Sequence, residues 1–128
     1  MTDELEPMRY LGKTSNEPGD LQAIEWKGGP MRVRLDCSEF TSHCPVTSQP
    51  DFGSIVIDYE VARHIVETKS LKLWLWKWRE LKAFNEQIAD QIADEFFAVI
   101  CPTQVHVIAQ FNPRGGISVR ATARRSAL

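Results

Sequence analysis

A cysteine in a polar loop is the residue of this sequence best suited to covalent chemistry. Cys44 lies between His43 and Pro45, and Asp51 follows seven residues later in the same stretch of small polar residues. A thiol attacks as the thiolate, and a nearby acid can deliver a proton to the group that the sulfur has attacked. Cys44 and Asp51 are therefore candidate catalytic residues. The plainer alternative is that Cys44 is a small buried apolar residue, as most lone cysteines are.

Three other segments have residue types that could bind an anion or a ring. Lys69, Ser70 and Lys72 lie at the start of a predicted helix, where backbone donors and two ammonium groups could hold a phosphate. Arg114 belongs to the turn PRGGI and could also bind an anion. Glu86, near the start of the next predicted helix, could accept hydrogen bonds from the N–H edge of a guanine-like ring. Each has a plainer alternative. Lys69, Ser70 and Lys72 could be a helix cap with a solvated face, and Arg114 could be an exposed arginine in a hairpin turn. Glu86 could be a charge that is favourable at a helix N-terminus.

The composition of the chain indicates one ordinary globular domain. It has 128 residues, of which 43% are hydrophobic and 25% charged, and its formal net charge is −2. This charge gives no electrostatic support for nucleic-acid binding. The three cysteines form no CxxC pair and have no His/Cys spacing suited to zinc, so no metal site is predicted. The acidic start MTDELEP and the lack of any run of about 20 apolar residues predict no signal peptide, no membrane span and a reducing, cytoplasmic location.

Hydrophobic periodicity predicts four strands and two helices after an irregular N-terminal arm (residues 1–30). Leu71, Leu75 and Trp78 return at helical spacing, which favours the first helix, although alternation in the same segment leaves a strand open. The second helix is clearer, and Pro102 ends it. The predicted elements are strands at 31–36 and 54–60, helices at 68–80 and 84–100, and strands at 105–111 and 117–121, with loops at 41–53 and 112–116. This order predicts an α+β domain over residues 31–128, in which an antiparallel sheet of two hairpins is backed by two helices on one face.

Four segments of the sequence carry motifs in a fixed order. They are EFTSHCPVTSQPDFGSI (39–55), ETKSLKLWLWKWRE (67–80), FNEQ (84–87) and FNPRGGISV (111–119). Together they resemble the 7-cyano-7-deazaguanine reductases, also called preQ0 reductases or NADPH-dependent nitrile oxidoreductases, of the unimodular type. The resemblance implies the tunnelling fold, assembled into homo-oligomeric barrels with active sites between subunits.

The resemblance also implies a reaction. A nitrile, 7-cyano-7-deazaguanine, is reduced to the amine 7-aminomethyl-7-deazaguanine, a precursor of queuosine in tRNA. In this reaction Cys44 adds to the nitrile carbon and forms a covalent thioimide, and Asp51 supplies a proton. NADPH is the implied cofactor, and two molecules bound in succession each give one hydride.

Binding roles follow from the same resemblance. Glu67 and Glu86 match positions that hold the deazapurine, and Asn85 stands where family members commonly have a histidine. Asparagine can donate a hydrogen bond but cannot exchange a proton near neutral pH. The candidate residues for binding the cofactor are Lys69, Ser70, Lys72 and Arg114.

Two other functions stay open at this point. Relatives of the family capture the nitrile with the same cysteine and then add ammonia, which forms an amidine without NADPH. The intact KSLK segment argues against this reaction, whereas Asn85 leaves it open. The other hypothesis is a non-catalytic module of the same fold that binds a purine or a pterin. A thiol and an acid in one loop argue against it, because binding alone needs neither.

Overall fold

The computed structural model describes residues 19–127, with Arg79 and Glu80 described by their backbone alone. Most of the predicted N-terminal arm, residues 1–18, and the final Leu128 lie outside the described residues. The part of the arm that is described contains a short strand. The elements in chain order are β1 (Ala23–Glu25), β2 (Arg32–His43), β3 (Pro50–Glu60), β4 (His64–Val66), α1 (Thr68–Trp76), a 3-10 helix (Lys77–Glu80), α2 (Asn85–Ile100), β5 (Gln104–Arg114) and β6 (Ile117–Ser126).

The four long strands form one antiparallel sheet in the order β2–β3–β5–β6, and β1 pairs with β4 in a separate two-stranded ribbon. In the sheet, Leu35 lies opposite Ile57, and Ile57 lies opposite Val107. Apolar residues alternate with polar ones along these strands, so the apolar side chains share one face. Both helices cover that face and form a single core with it. The prediction of an α+β domain with helices on one side of an antiparallel sheet is confirmed.

The first hairpin is longer than the sequence predicts. β2 extends to His43 and β3 begins at Pro50, so most of the predicted loop at residues 41–53 is paired. Small polar residues have a low strand propensity, but pairing with a neighbouring strand overrides it. Pro50 is tolerated because it is the first residue of its strand. Residues 44–49 alone remain as the turn.

The segment at 68–80 is helical, which resolves its ambiguous periodicity. α1 continues directly into the 3-10 helix, with helical backbone angles at the junction. Trp74 and Trp78 are almost wholly buried, and their rings meet edge to face with centroids 6.0 Å apart. The apolar stripe at helical spacing therefore faces the core.

The second helix ends close to its predicted boundary. Cys101 adopts a left-handed conformation with a φ of 53°, and its N–H donates to the carbonyl oxygen of Phe97 at 3.0 Å. Pro102 follows and cannot continue the helical ladder. Among residues 19–127, no helix combines the length and the apolar character needed to cross a bilayer.

Candidate active site

The turn between β2 and β3 holds Cys44 in a closed backbone geometry. The N–H of Cys44 donates to the carbonyl oxygen of Gln49 at 2.9 Å. The N–H of Ser48 donates to the carbonyl oxygen of Cys44, also at 2.9 Å. The N–H of Gln49 also donates to the hydroxyl of Thr47 at 3.2 Å. Ser48 has a positive φ of 63°, a conformation that non-glycine residues rarely adopt. These bonds fix a tight turn with the thiol at its start.

The turn lowers the pKa of the Cys44 thiol from its ordinary value of 9.0. The largest cause is a hydrogen bond to the sulfur from the backbone of Thr47, followed by bonds from the Thr47 hydroxyl and from the backbone of Val46. Burial and the charge of Asp51 act in the opposite direction but are weaker. A lowered pKa enlarges the thiolate fraction near neutral pH. Cys37 differs, because burial raises the pKa of its thiol to about 11.

Asp51 lies beside this turn and is held by an arginine from the other hairpin. Its side chain is nearly buried, with 8% of the residue exposed. Nη1 of Arg114 donates to Oδ1 of Asp51 at 2.7 Å and to the carbonyl oxygen of Pro50 at 3.1 Å. Nη2 of the same guanidinium donates to Oε1 of Gln49. Arg114 therefore joins the β5–β6 hairpin to the turn that carries Cys44.

The start of α2 lies at the same end of the sheet as Cys44. The N–H of His43 donates to the carbonyl oxygen of Leu81 at 3.2 Å. The N–H of Ala83 donates to the carbonyl oxygen of His43 at 3.1 Å. Asn85 is half-buried and begins α2 two residues after Ala83, and Glu86 is exposed in its first turn. The start of α2 therefore lies at the same end of the sheet as the candidate nucleophile, and the Glu86 side chain lines an open pocket with Val119 and Arg120 of β6.

Glu67 and Ser70 form a saturated cap at the start of α1. Oε1 of Glu67 accepts from the N–H of Ser70 at 2.7 Å, and Oε2 accepts from the N–H of Lys69 at 2.9 Å. The Ser70 hydroxyl donates to the carbonyl oxygen of Glu67 at 2.6 Å and accepts from the N–H of Gln22 at 3.0 Å. Glu67 is 8% exposed and Ser70 is fully buried, so Ser70 presents no surface to a ligand in this conformation. In the structure, both side chains therefore act as caps of α1, as the helix-cap alternative predicts.

This cap is distant from Cys44 within one chain. α1 and the 3-10 helix together separate Glu67 from Leu81, which is bonded to His43. At about 1.5 Å rise per residue in the first and about 2 Å in the second, their combined length is about 20 Å. A ring the size of a purine cannot span that distance. The structure therefore places Asp51 and Arg114 together beside the turn of Cys44. Asn85 and Glu86 begin α2 at the same end of the sheet, and Glu67, Lys69, Ser70 and Lys72 lie apart from Cys44.

An open cleft of about 360 Å³ runs along the outer edge of the sheet between these two regions. The exposed Lys72 lines it, together with the aromatic residues Phe40 and Trp76. From Thr68 to Trp76 the lining follows α1, and from Cys37 to Thr41 it follows β2. Because β2 reaches His43 two residues later, the cleft extends from the start of α1 towards Cys44.

Thr47 and Gln49 are site residues that the sequence analysis did not single out. Both lie in the CPVTSQPD stretch, and a hydroxyl three residues after a candidate nucleophile is the signal that could have identified Thr47. No group of three or more His, Cys, Asp and Glu side chains within residues 19–127 is arranged to hold a metal ion.

Comparison with known proteins identifies the family. Residues 50–127 match a family model described as QueF-like protein, which is more than half of the chain. The chain belongs to the QueF-like family. The crystal structure of an archaeosine synthase QueF-Like in the apo form matches it with a TM-score of 0.68 at 16% identity, covering 80% of this chain and 99% of that one. This likeness supports the predicted tunnelling fold.

Curated relatives of this QueF-like chain share one name, NADPH-dependent 7-cyano-7-deazaguanine reductase. The protein from Anaeromyxobacter dehalogenans (strain 2CP-C) is 42% identical over 97 residues, covering 76% of this chain and 80% of that protein. The one from Frankia casuarinae is 47% identical over 99 residues, covering 76% and 79%. The one from Staphylococcus saprophyticus is 38% identical over 125 residues, covering 91% and 75%.

Proposed function

We propose that this QueF-like protein is an enzyme that reduces 7-cyano-7-deazaguanine to 7-aminomethyl-7-deazaguanine with NADPH, in the biosynthesis of queuosine. The observation that carries the proposal is the geometry of one turn, in which Cys44 has a lowered pKa and a nearly buried acid, Asp51, lies next to it. The names of the curated relatives support both the reaction and the cofactor. We also propose the unimodular type, with one tunnelling-fold unit in the chain.

In this proposal Cys44 and Asp51 carry out the covalent step. The Cys44 sulfur adds to the nitrile carbon, so a C–S bond forms and one π bond of the C≡N group breaks. The Asp51 carboxylate takes the proton of the Cys44 thiol and gives it to the nitrile nitrogen, which leaves a neutral thioimide and restores the carboxylate. Hydrogen bonds from Thr47 stabilise the thiolate before the attack, and Arg114 holds Asp51 beside the turn.

Substrate recognition in the proposal belongs to the start of α2. The Glu86 carboxylate accepts hydrogen bonds from the N–H edge of the deazapurine, and the Asn85 amide donates one. Glu67 is about 20 Å from Cys44 in the same chain, so its predicted contact with substrate requires the Glu67 of another copy.

The cleft along α1 has the chemistry that a dinucleotide needs. Lys72 offers a cation for phosphate, Lys69 lies three residues before it, and the half-buried Trp76 offers apolar ring surface. Arg114 is a further cation, although it contacts Asp51 in the present conformation. When bound, NADPH supplies the hydrides that reduce the carbon–nitrogen unsaturation. Ser70 contributes through the cap that shapes the start of α1.

We propose that a second copy of the chain completes the site. The outer strands β2 and β6 each have one edge that is unpaired among the described residues, and such edges favour pairing with another chain. Seven large apolar side chains are exposed among residues 19–127, and five of them lie at the Cys44 end of the molecule. These five are Val46, Phe52, Leu81, Phe84 and Ile117. A homo-oligomeric barrel would cover both the edges and this apolar surface.

Mixing two inactive variants tests the shared site. Cys44→Ala removes the nucleophile, and Glu67→Gln removes the charge of the substrate contact while keeping an oxygen that can cap α1. If the two residues act from different copies, mixed oligomers recover activity that neither variant has. Absence of recovery, with exchange of subunits verified by mass, would contradict a site between subunits.

A cytoplasmic location is also part of the proposal. Cys37, Cys44 and Cys101 are free thiols in the structure, and free thiols persist in reducing compartments.

The decisive experiment mixes the purified protein with 7-cyano-7-deazaguanine and NADPH, follows NADPH oxidation and determines the mass of the product. The proposal expects two NADPH consumed per amine formed, and a covalent adduct in the wild type that Cys44→Ala does not form. The matched control is Cys101→Ala, which removes an exposed thiol away from the turn and should retain activity. An adduct without NADPH oxidation would refute the reductase and favour addition of ammonia, which Asn85 leaves open. No adduct and no oxidation would favour a binding module.

A further inference from the structure

Ser42 is a buried polar residue that the proposed mechanism does not use. It is 0% exposed, and its hydroxyl has no hydrogen-bond partner among residues 19–127. A buried hydroxyl without a partner reduces stability, because it loses its bonds to water and gains none in return. Such groups are rare in native proteins, and those that persist call for an explanation.

The register of the sheet gives Ser42 a specific neighbour. Ser42 lies directly opposite Asp51 in the β2–β3 ladder. Side chains of paired residues point to the same face, with Cβ atoms about 4.5–5.5 Å apart. Arg114 bonds to Oδ1 of Asp51, and a carboxylate has a second oxygen that can accept. A change of side-chain rotamer at Ser42 therefore brings its hydroxyl within hydrogen-bond reach of this acid.

We propose that Ser42 is a positioning residue for Asp51 during the covalent step, an inference that rests on the function proposed above. When Asp51 gives its proton to the nitrile nitrogen, a carboxylate is left behind. The Ser42 hydroxyl donates to that carboxylate from the core side and keeps it oriented towards Cys44. Arg114 holds the same group from the solvent side.

This role gives Ser42→Ala an unusual combination of effects. Removing the hydroxyl relieves a buried polar atom, so the thermal midpoint should stay equal to that of the wild type or rise. The loss of a donor to a charged group should slow formation of the adduct at saturating substrate by roughly tenfold or more, with little change in substrate affinity. Ser42→Thr keeps a hydroxyl and should recover much of the rate.

The experiment measures the single-turnover rate of adduct formation between the full chain and 7-cyano-7-deazaguanine by mass spectrometry, without NADPH. Ser54→Ala is the matched control, because Ser54 lies on β3 but points to the opposite face, and its rate should match that of the wild type. An unaltered rate in Ser42→Ala would overturn the inference, as would a loss of rate that accompanies a lower thermal midpoint. If the wild type forms no adduct, it is the proposed function that fails.

Discussion

Gly53 lies where the backbones of β3 and β5 approach each other closely, and replacing it with alanine tests how the site is built. An ideal Cβ on this residue would lie 2.1 Å from the carbonyl oxygen of Gln110 and 2.9 Å from Cα of Phe111. Gly53 also pairs with Phe40 on its other side, and the rings of Phe40 and Phe111 meet edge to face with centroids 6.1 Å apart. The absent side chain therefore allows two strands and two rings to pack closely.

The size of the effect follows from which atoms collide. Both are backbone atoms of a central strand, so no side chain can rotate away, and ordinary contacts of about 3.5–4.0 Å require the strands to separate by more than 1 Å. Overpacking of this kind costs about 1–3 kcal/mol. For a chain of 128 residues, a loss of about 2 kcal/mol lowers the thermal midpoint by roughly 5–15 °C. Separation at Gly53 also moves Asp51 relative to Arg114, so adduct formation should slow.

Thermal unfolding followed by circular dichroism measures this effect, with adduct formation as the second readout. Gly29→Ala is the matched control, because a Cβ there meets no atom within 4 Å, and its midpoint should stay close to that of the wild type. A Gly53→Ala midpoint within about 2 °C of the wild type would show that the strands separate at little cost and would refute the reasoning.

Three further substitutions test the thiol and the two helix ends. Thr47→Val removes a hydroxyl donor and raises the pKa of Cys44, so alkylation by iodoacetamide at pH 7 should slow; equal rates would contradict the hydrogen bond. Cys101→Gly relaxes a left-handed residue and should raise the free energy of unfolding by about 0.5–1 kcal/mol in urea, whereas a decrease would count against strain there. Glu67→Ala removes two bonds to backbone N–H groups and should lower the same quantity by about 1–2 kcal/mol, and an unchanged value would exclude a capping role.

The elements that the sequence predicts well are those with a single strong period. Val105, Val107 and Ala109 are wholly buried and alternate with exposed or half-buried neighbours, as the prediction of β5 required. Ile88 and Ile92 return at helical spacing on the buried face of α2. Such elements are predicted correctly because the spacing of apolar residues in the sequence directly reflects which face of the element is buried in the fold.

The contacts between hairpins could not be predicted in this way. Arg114 reads as an exposed arginine in a turn, and its partner Asp51 is 63 residues earlier. Their ion pair depends on the pairing of β3 with β5, which places the start of one strand beside the end of the other. Periodicity within one segment contains no information about that pairing. Motifs therefore supply the candidate residues of the site, but they do not predict how those residues are arranged in space.

A bulge in β2 is the feature that sets the geometry of the candidate site. Before it, Leu35 and Cys37 pair with Ile57 and Ile55, so odd-numbered residues of β2 face the helices; after it, even-numbered ones such as Ser42 do. The register shift lies between Cys37 and Phe40, while β3 keeps one alternation throughout. In a strand without this bulge, Ser42 would point away from the core and could not share a face with Asp51, because a shift of one residue exchanges the two faces. The extra residue in β2 therefore changes which side chains face the core after the bulge, so that Ser42, two residues before Cys44, lies on the same face as Asp51.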